Sequence, residues 1–146
     1  MYEVIQIVHS YWAYLVVLVV TLATINGIFG VITKREYAPK DFRISLFALI
    51  VTHLQLLIGI IIFFVSPKVL WFNSGVSASE IMGDPLLRLY NLEHPLMMIL
   101  MVVFITVGYS KHKKKLTSTP KFKQIAIFYT IAWILMLSRI PWSEWF

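Results

Sequence analysis

Four long apolar stretches limit the folds that are open to this chain. They cover roughly residues 4–32, 44–65, 85–110 and 123–141, and each is close to the ~20 residues that a helix needs to cross the hydrocarbon core of a bilayer. Of the 146 residues, 59% are hydrophobic and only 14% are charged, unlike a soluble domain. We therefore predict one all-α domain over residues 1–146, an integral membrane four-helix up-down bundle.

The basic residues predict how this bundle is oriented. Ten of the thirteen lie in the first and third connections: Lys34, Arg35, Lys40, Arg43, Lys111, Lys113, Lys114, Lys115, Lys121 and Lys123. Because short loops rich in Lys and Arg stay in the cytoplasm, we expect both termini on the outer, periplasmic side of a bacterial inner membrane. The lysine run around His112 is then a topology signal beside anionic lipid headgroups, with no role in binding nucleic acid.

Prolines and a capping residue suggest where the helices begin, end and bend. Pro39 is expected to interrupt helical structure in the first connection. Asp84-Pro85 matches an N-cap followed by proline at the first helical position. Pro95 is expected to kink the third helix, because it clashes with the carbonyl of Asn91. The outer segment 66–84 is read as a connector, with a lid over the bundle as the alternative.

Three histidines, His9, His53 and His94, lie in the first three apolar stretches. An ionisable side chain at bilayer depth is costly unless it is paired, ligated or in contact with water, and it therefore suggests a functional site. The chain has no cysteine, so thiolate ligation, iron–sulfur clusters and covalent c-type haem attachment are excluded. Any haem must be held by histidine, or by histidine and methionine.

Counting residues along the helices places two of these histidines at one depth. His9 and His94 each lie about seven residues below the outer boundary, or ~10 Å at the helical rise, on spans that are diagonal in an up-down bundle. Gly59 occupies the same level on the second span and leaves room for a flat macrocycle. The pair His9 and His94 is therefore the leading candidate for the axial ligands of one b-type haem.

His53 lies deeper, ~20 Å below the outer boundary. A helix offset could make it an axial ligand in place of His9. It could instead relay protons or contact a quinone, with Gln55 nearby in sequence, or it could be a neutral histidine that is hydrogen-bonded in the core. The sequence leaves these roles open.

Two arginines, Arg88 and Arg139, lie near the outer ends of the third and fourth spans. Guanidinium groups bind carboxylates through paired, charge-assisted hydrogen bonds, so we expect them to suit the two propionates of a haem. The alternative is that both side chains extend to the outer headgroups.

Motifs spread over nearly the whole chain resemble a family of small bacterial four-helix membrane proteins labelled cytochrome B. They are His9-Ser10, Thr52-His53-Leu54-Gln55-Leu56-Leu57-Ile58-Gly59, Glu93-His94-Pro95-Leu96-Met97-Met98 and Arg139-Ile140-Pro141-Trp142. The arrangement is more distantly similar to cytochrome b561-type and other four-helix di-haem bundles. Two bis-histidine haems would need four intramembrane histidines, so one haem is the ceiling here.

The leading functional hypothesis is an inner-membrane b-type cytochrome with a single bis-histidine haem, which passes electrons from a quinol to a partner redox protein or membrane complex. With both axial positions filled, such a haem carries electrons and does not activate oxygen. The alternative is a non-catalytic small subunit or assembly factor of a larger membrane complex. The sequence does not give the oligomeric state.

Overall fold

The computed structural model describes residues 1–73 and 75–145, and its secondary structure is helical, with no strand in these ranges. The helices are α1 (Tyr2–Thr33), α2 (Pro39–Val65), the short α3 (Ala78–Gly83), α4 (Pro85–Lys113) and α5 (Ser118–Ser138), and a 3₁₀ turn follows over Trp142–Glu144. The four long helices are each long and apolar enough to cross a membrane. The prediction of a helical, multi-pass membrane protein is confirmed.

Two names describe the ends of the bundle. The terminal end carries the N-terminus, residues 139–145 and the described residues of the 66–84 connection, and the basic end carries the 34–38 and 114–117 connections with their lysines and arginines. That the basic end is cytoplasmic stays a prediction from the positive-inside rule.

Helix α2 begins five residues earlier than predicted, because Pro39 opens the helix and does not break the chain. Proline is favoured at a first helical position, where its missing N–H has no partner to lose. The Asp41 side chain reaches back three residues to accept the Ala38 N–H at 2.8 Å. At the other end of the bundle, the predicted Asp84 N-cap is confirmed, since its carboxylate accepts the N–H groups of Leu86 and Leu87 at 2.8 and 2.9 Å.

The four long helices pack in chain order around the bundle, so α1 and α4 face each other across one diagonal and α2 and α5 across the other. Contact is extensive between α1 and α2, α1 and α5, and α4 and α5, but it is sparse between α2 and α4. This places the first and third spans opposite each other, as the sequence predicted, and leaves the α2–α4 side the least tightly closed.

The close approach of α1 to α5 depends on glycines. A Cβ added at Gly27 would lie 2.8 Å from the Ile125 side chain, and one added at Gly30 would lie 2.3 Å from the Phe122 ring. Small residues at helix interfaces allow this approach in lipid, where van der Waals packing drives helix association. Phe122 is itself 1% exposed, so its ring has little room to move away.

A methyl group at Gly30 should therefore destabilise the bundle. We expect Gly30→Ala to lower the free energy of unfolding by about 1–3 kcal/mol, because the buried ring must shift, as measured by thermal or denaturant unfolding in detergent. Gly83→Ala is the matched control, since nothing lies within 4 Å of the position its Cβ would take. Equal stability of both variants would show that α1 and α5 do not pack this closely.

Polar contacts close the basic end of the bundle. Arg35 makes hydrogen bonds of 2.9 and 2.7 Å to both carboxylate oxygens of the buried Asp41, and Asn26 donates to the same carboxylate at 2.9 Å. The pKa of Arg35 is raised, chiefly by its hydrogen bond to Asp41. Asp41 is only 1% exposed, and a buried charge is costly unless it is paired. The ion pair with Arg35 meets this requirement.

His112 is not part of an exposed lysine run, contrary to the expectation from sequence. Its side chain is fully buried; Nδ1 donates to the carbonyl of Tyr109, and Nε2 accepts the hydroxyl of Tyr37 at 2.9 Å. The helical period explains the difference, because His112 faces inward while the lysines on either side of it point outward.

Candidate functional site

A cavity of about 330 Å³ lies in the terminal half of the bundle and is lined by all four long helices. Its volume is at the lower end of the range for small-molecule sites. Most of the wall is apolar, with contributions from Met98, Met101 and Met136. The polar groups that line it include His9, Gln55 and His94, with Lys68, Tyr90 and Glu144 toward the terminal end.

The two imidazoles predicted to share one level lie side by side at this cavity. The ring centroids of His9 and His94 are 6.2 Å apart, and their planes are inclined at 77°. Both side chains line the cavity from diagonally opposed helices. The depth count therefore located the pair correctly.

His94 is fixed by the end of the neighbouring helix. Its Nδ1 donates a hydrogen bond of 2.7 Å to the carbonyl of Arg139, which requires the tautomer with the proton on Nδ1 and leaves a lone pair on Nε2. Metal-ligating histidines usually make such a bond through the ring nitrogen that does not bind the metal, so this arrangement is compatible with ligation through Nε2.

The arginines take a different position from the one expected. Arg88 Nε lies 2.7 Å and Arg139 Nε 3.2 Å from the two carboxylate oxygens of Glu93, and neither arginine lines the cavity. Glu93 on α4 thus binds the side chain of Arg139, whose backbone carbonyl accepts the hydrogen bond of His94. In this arrangement the arginines support the position of His94, and their predicted contact with propionates stays a prediction.

His9 has no strong hydrogen bond at either ring nitrogen. Its Nδ1 is buried without a partner among the described residues, and so is the side-chain oxygen of Gln55. The Gln55 amide nitrogen donates to the His9 carbonyl at 2.9 Å and lies 3.4 Å from its Nε2, a long contact. Buried polar atoms are nearly always paired, so these two atoms are available to hydrogen-bond or bind a molecule in the cavity.

Gly59 makes space for the His9 ring. A Cβ built at Gly59 would lie 3.4 Å from Cε1 of His9, so any longer side chain there would displace the imidazole. The depth count placed Gly59 at the correct level. The space that was predicted for a macrocycle is in part taken by His9.

The backbone leading into His94 is a π-helical turn over Leu89–Glu93. Such turns are rare and are often found at functional sites. Pro95 has no N–H to donate to the carbonyl of Asn91, and the indole N–H of Trp71 donates to that oxygen at 2.7 Å. The Asn91 side chain in turn accepts the Leu70 N–H at 2.7 Å, so the 66–84 connection is attached to α4 one turn before His94.

Removal of the Trp71 indole N–H should therefore leave the Asn91 carbonyl unpaired. We expect Trp71→Phe to cost about 1–3 kcal/mol of unfolding free energy, the usual penalty for an unsatisfied buried acceptor. Pro95→Ala restores a helical N–H, so the double variant should lose less stability than the sum of the two single variants in a double-mutant cycle. Strict additivity would show that Trp71 does not replace the helical donor.

His53 does not line the cavity. Its Nδ1 donates to the carbonyl of Leu49 at 2.7 Å, and its Nε2 lies 3.4 Å from the hydroxyl of Thr106 on α4. It borders a separate groove between α2 and α4. Of the three intramembrane histidines, the structure thus brings His9 and His94 together and places His53 elsewhere.

Lys68 is a cavity residue that sequence reasoning missed. Its ammonium group lies 3.0 Å from a Glu144 carboxylate oxygen and 3.3 Å from the hydroxyl of Tyr90. Burial lowers the pKa of Lys68, but the contacts with Glu144 and Tyr90 outweigh burial and raise it overall. The available signal was its position, since it is the only basic residue in the connection at the terminal end.

The described residues contain no group of three or more His, Cys, Asp or Glu side chains placed to hold a metal ion. Searches against protein-family models, curated proteins and solved structures gave no match to this chain. The resemblance to the cytochrome B family therefore rests on the sequence motifs.

Proposed function

We propose that this protein is a b-type cytochrome of the bacterial inner membrane, in which one haem is bound between His9 and His94 and carries electrons. The observation that supports this proposal most strongly is the spacing of the two imidazoles, 6.2 Å between ring centroids, at a cavity inside the membrane-spanning bundle.

The spacing suits two imidazoles that share one metal atom. A bond from metal to imidazole nitrogen is about 2.0–2.1 Å long, so two imidazole ligands of one metal atom need nitrogens no more than about 4 Å apart. The distance of 6.2 Å between the ring centroids of His9 and His94 is compatible with such a spacing.

The small number of ligands favours haem over a bare ion. A structural or catalytic metal ion is generally held by three or four protein ligands, but two imidazoles converge at the cavity and no larger donor group occurs among the described residues. A haem supplies four nitrogen ligands of its own and needs only two from the protein. The absence of cysteine restricts those two to histidine or methionine.

Each residue of the site has a role in this proposal. His94 offers the Nε2 lone pair that its bond to Arg139 leaves free, and His9 offers a buried nitrogen without a partner. Gly59 leaves room for the His9 ring beside α2. A haem with two axial histidines supplies one-electron transfer and leaves no site for oxygen. The electron source is then a membrane quinol, and the acceptor is a partner redox protein or membrane complex.

Optical and electron paramagnetic resonance spectra of the purified full-length protein test this proposal. We expect a Soret band and a six-coordinate low-spin spectrum when the protein is expressed with an adequate haem supply. His94→Ala should abolish haem binding, and His9→Ala should leave at most a five-coordinate spectrum, because each removes one axial ligand. His53→Ala is the matched control and should keep six-coordination.

Two results would contradict the proposal. A wild-type protein without a Soret band, co-purifying with stoichiometric partners, would favour the small subunit or assembly factor. Loss of haem in His53→Ala with haem retained in His9→Ala would show that the ligand pair is wrong.

Lys68 is the cation we assign to the haem carboxylates, because its side chain lines the cavity, although it is paired with Glu144, whereas neither Arg88 nor Arg139 lines the cavity. Lys68→Ala should weaken haem binding by about two- to fivefold, the range of a partly exposed ion pair, in a haem titration at low ionic strength. Lys68→Arg should retain the affinity. Unchanged haem affinity in Lys68→Ala would contradict this assignment.

A further inference from the structure

A second recess opens where α2 and α4 contact each other least. This groove, of about 270 Å³, is lined by His53, Leu56, Ile99, Val102, Val103 and Thr106, together with Val107. Its wall is apolar apart from His53 and Thr106. Because it lies on membrane-spanning helices in the sparse α2–α4 contact, a molecule dissolved in the bilayer can reach it without passing through water.

The backbone sets the chemical character of His53 in this groove. Nδ1 donates to the Leu49 carbonyl at 2.7 Å, so in the neutral ring Nε2 carries a lone pair and can only accept. The hydroxyl of Thr106 lies 3.4 Å away but donates to the Val102 carbonyl at the shorter distance of 2.7 Å. Nε2 of His53 is thus a hydrogen-bond acceptor with no close donor among the described residues, and its surroundings are apolar. A ligand with an O–H group could supply the donor.

The groove and the haem cavity share part of their walls. Leu56, Ile99 and Val102 line both recesses, so one layer of side chains separates a molecule in the groove from one in the cavity. A ligand in the groove is therefore close enough to exchange electrons with a redox centre at His9 and His94.

We propose that this groove binds the ring of a membrane-dissolved hydroquinone, with one ring hydroxyl donating to Nε2 of His53. The apolar wall suits the ring and its tail, and the fixed tautomer of His53 selects the hydroxyl form over the oxidised carbonyl form. The role of this ligand as electron donor depends on the proposed function, but its binding does not.

The test compares two probes on the full-length protein in nanodiscs, a short-tailed 1,4-hydroquinone and its dimethyl ether, which lacks both O–H donors. We expect the hydroquinone to bind about tenfold more tightly, as the loss of one hydrogen bond to a buried acceptor predicts. In His53→Leu this ratio should fall to about one, since no acceptor remains.

Thr106→Val separates this role from a structural one. It leaves the bond between His53 and Leu49 in place and removes the hydroxyl that lies 3.4 Å from Nε2, so the hydroquinone should bind about as tightly as before. If His53 only joins α2 to α4, the two probes should bind equally to the wild type, and Thr106→Val should behave like His53→Leu. Either result would overturn the proposal.

The same measurement on His94→Ala keeps the two proposals distinct. A tenfold preference for the hydroquinone that persists in this variant supports the groove whether or not haem is bound. A haem spectrum in a wild-type protein that shows no preference supports the haem site and rejects the groove.

Discussion

Inside a bilayer, each polar group must find its partner within the protein, because no water is available to replace it. This requirement explains many contacts between the helices. The indole of Trp12 donates to the Val51 carbonyl at 3.0 Å, and the hydroxyl of the buried Tyr129 donates to the Ser45 carbonyl at 2.8 Å. The exceptions are Nδ1 of His9 and the side-chain oxygen of Gln55, which have no partner within residues 1–73 and 75–145, and both residues line the same cavity.

Three of the four histidines follow one pattern. In His53, His94 and His112, Nδ1 donates to a backbone carbonyl. The backbone thereby selects the tautomer, and the surroundings of Nε2 decide what the residue does: a groove for His53, the cavity for His94, and the Tyr37 hydroxyl for His112. His9 lacks such a bond, so its ring depends more on what fills the cavity.

Much of the fold and part of the site could be predicted from sequence, because span length and helical rise are nearly constant. These two quantities gave the four helices, and they brought His9, His94 and Gly59 to one level. The side-chain contacts between neighbouring helices could not be predicted in this way. Residue counting shows that Arg88 and Arg139 lie near a helix end, but it does not show that both bind Glu93.

Lys68 and His112 were missed for a related reason. A connection has no helical register, so sequence could not show that Lys68 folds over the cavity. His112 stands among charged lysines in the sequence, so its buried, inward-facing side chain was not expected. In both cases the deciding information is the direction of one side chain, which composition does not give.

The helix pairs of the bundle differ in how closely they pack, and this difference bears on how a wide molecule such as a porphyrin could enter. Glycines allow α1 to pack tightly against α5, whereas α2 and α4 make few contacts. On the proposed function, the α2–α4 side is where a flat molecule would meet the least resistance on entering from the lipid. Loading of a haem by that route would not require the helices to be inserted around it.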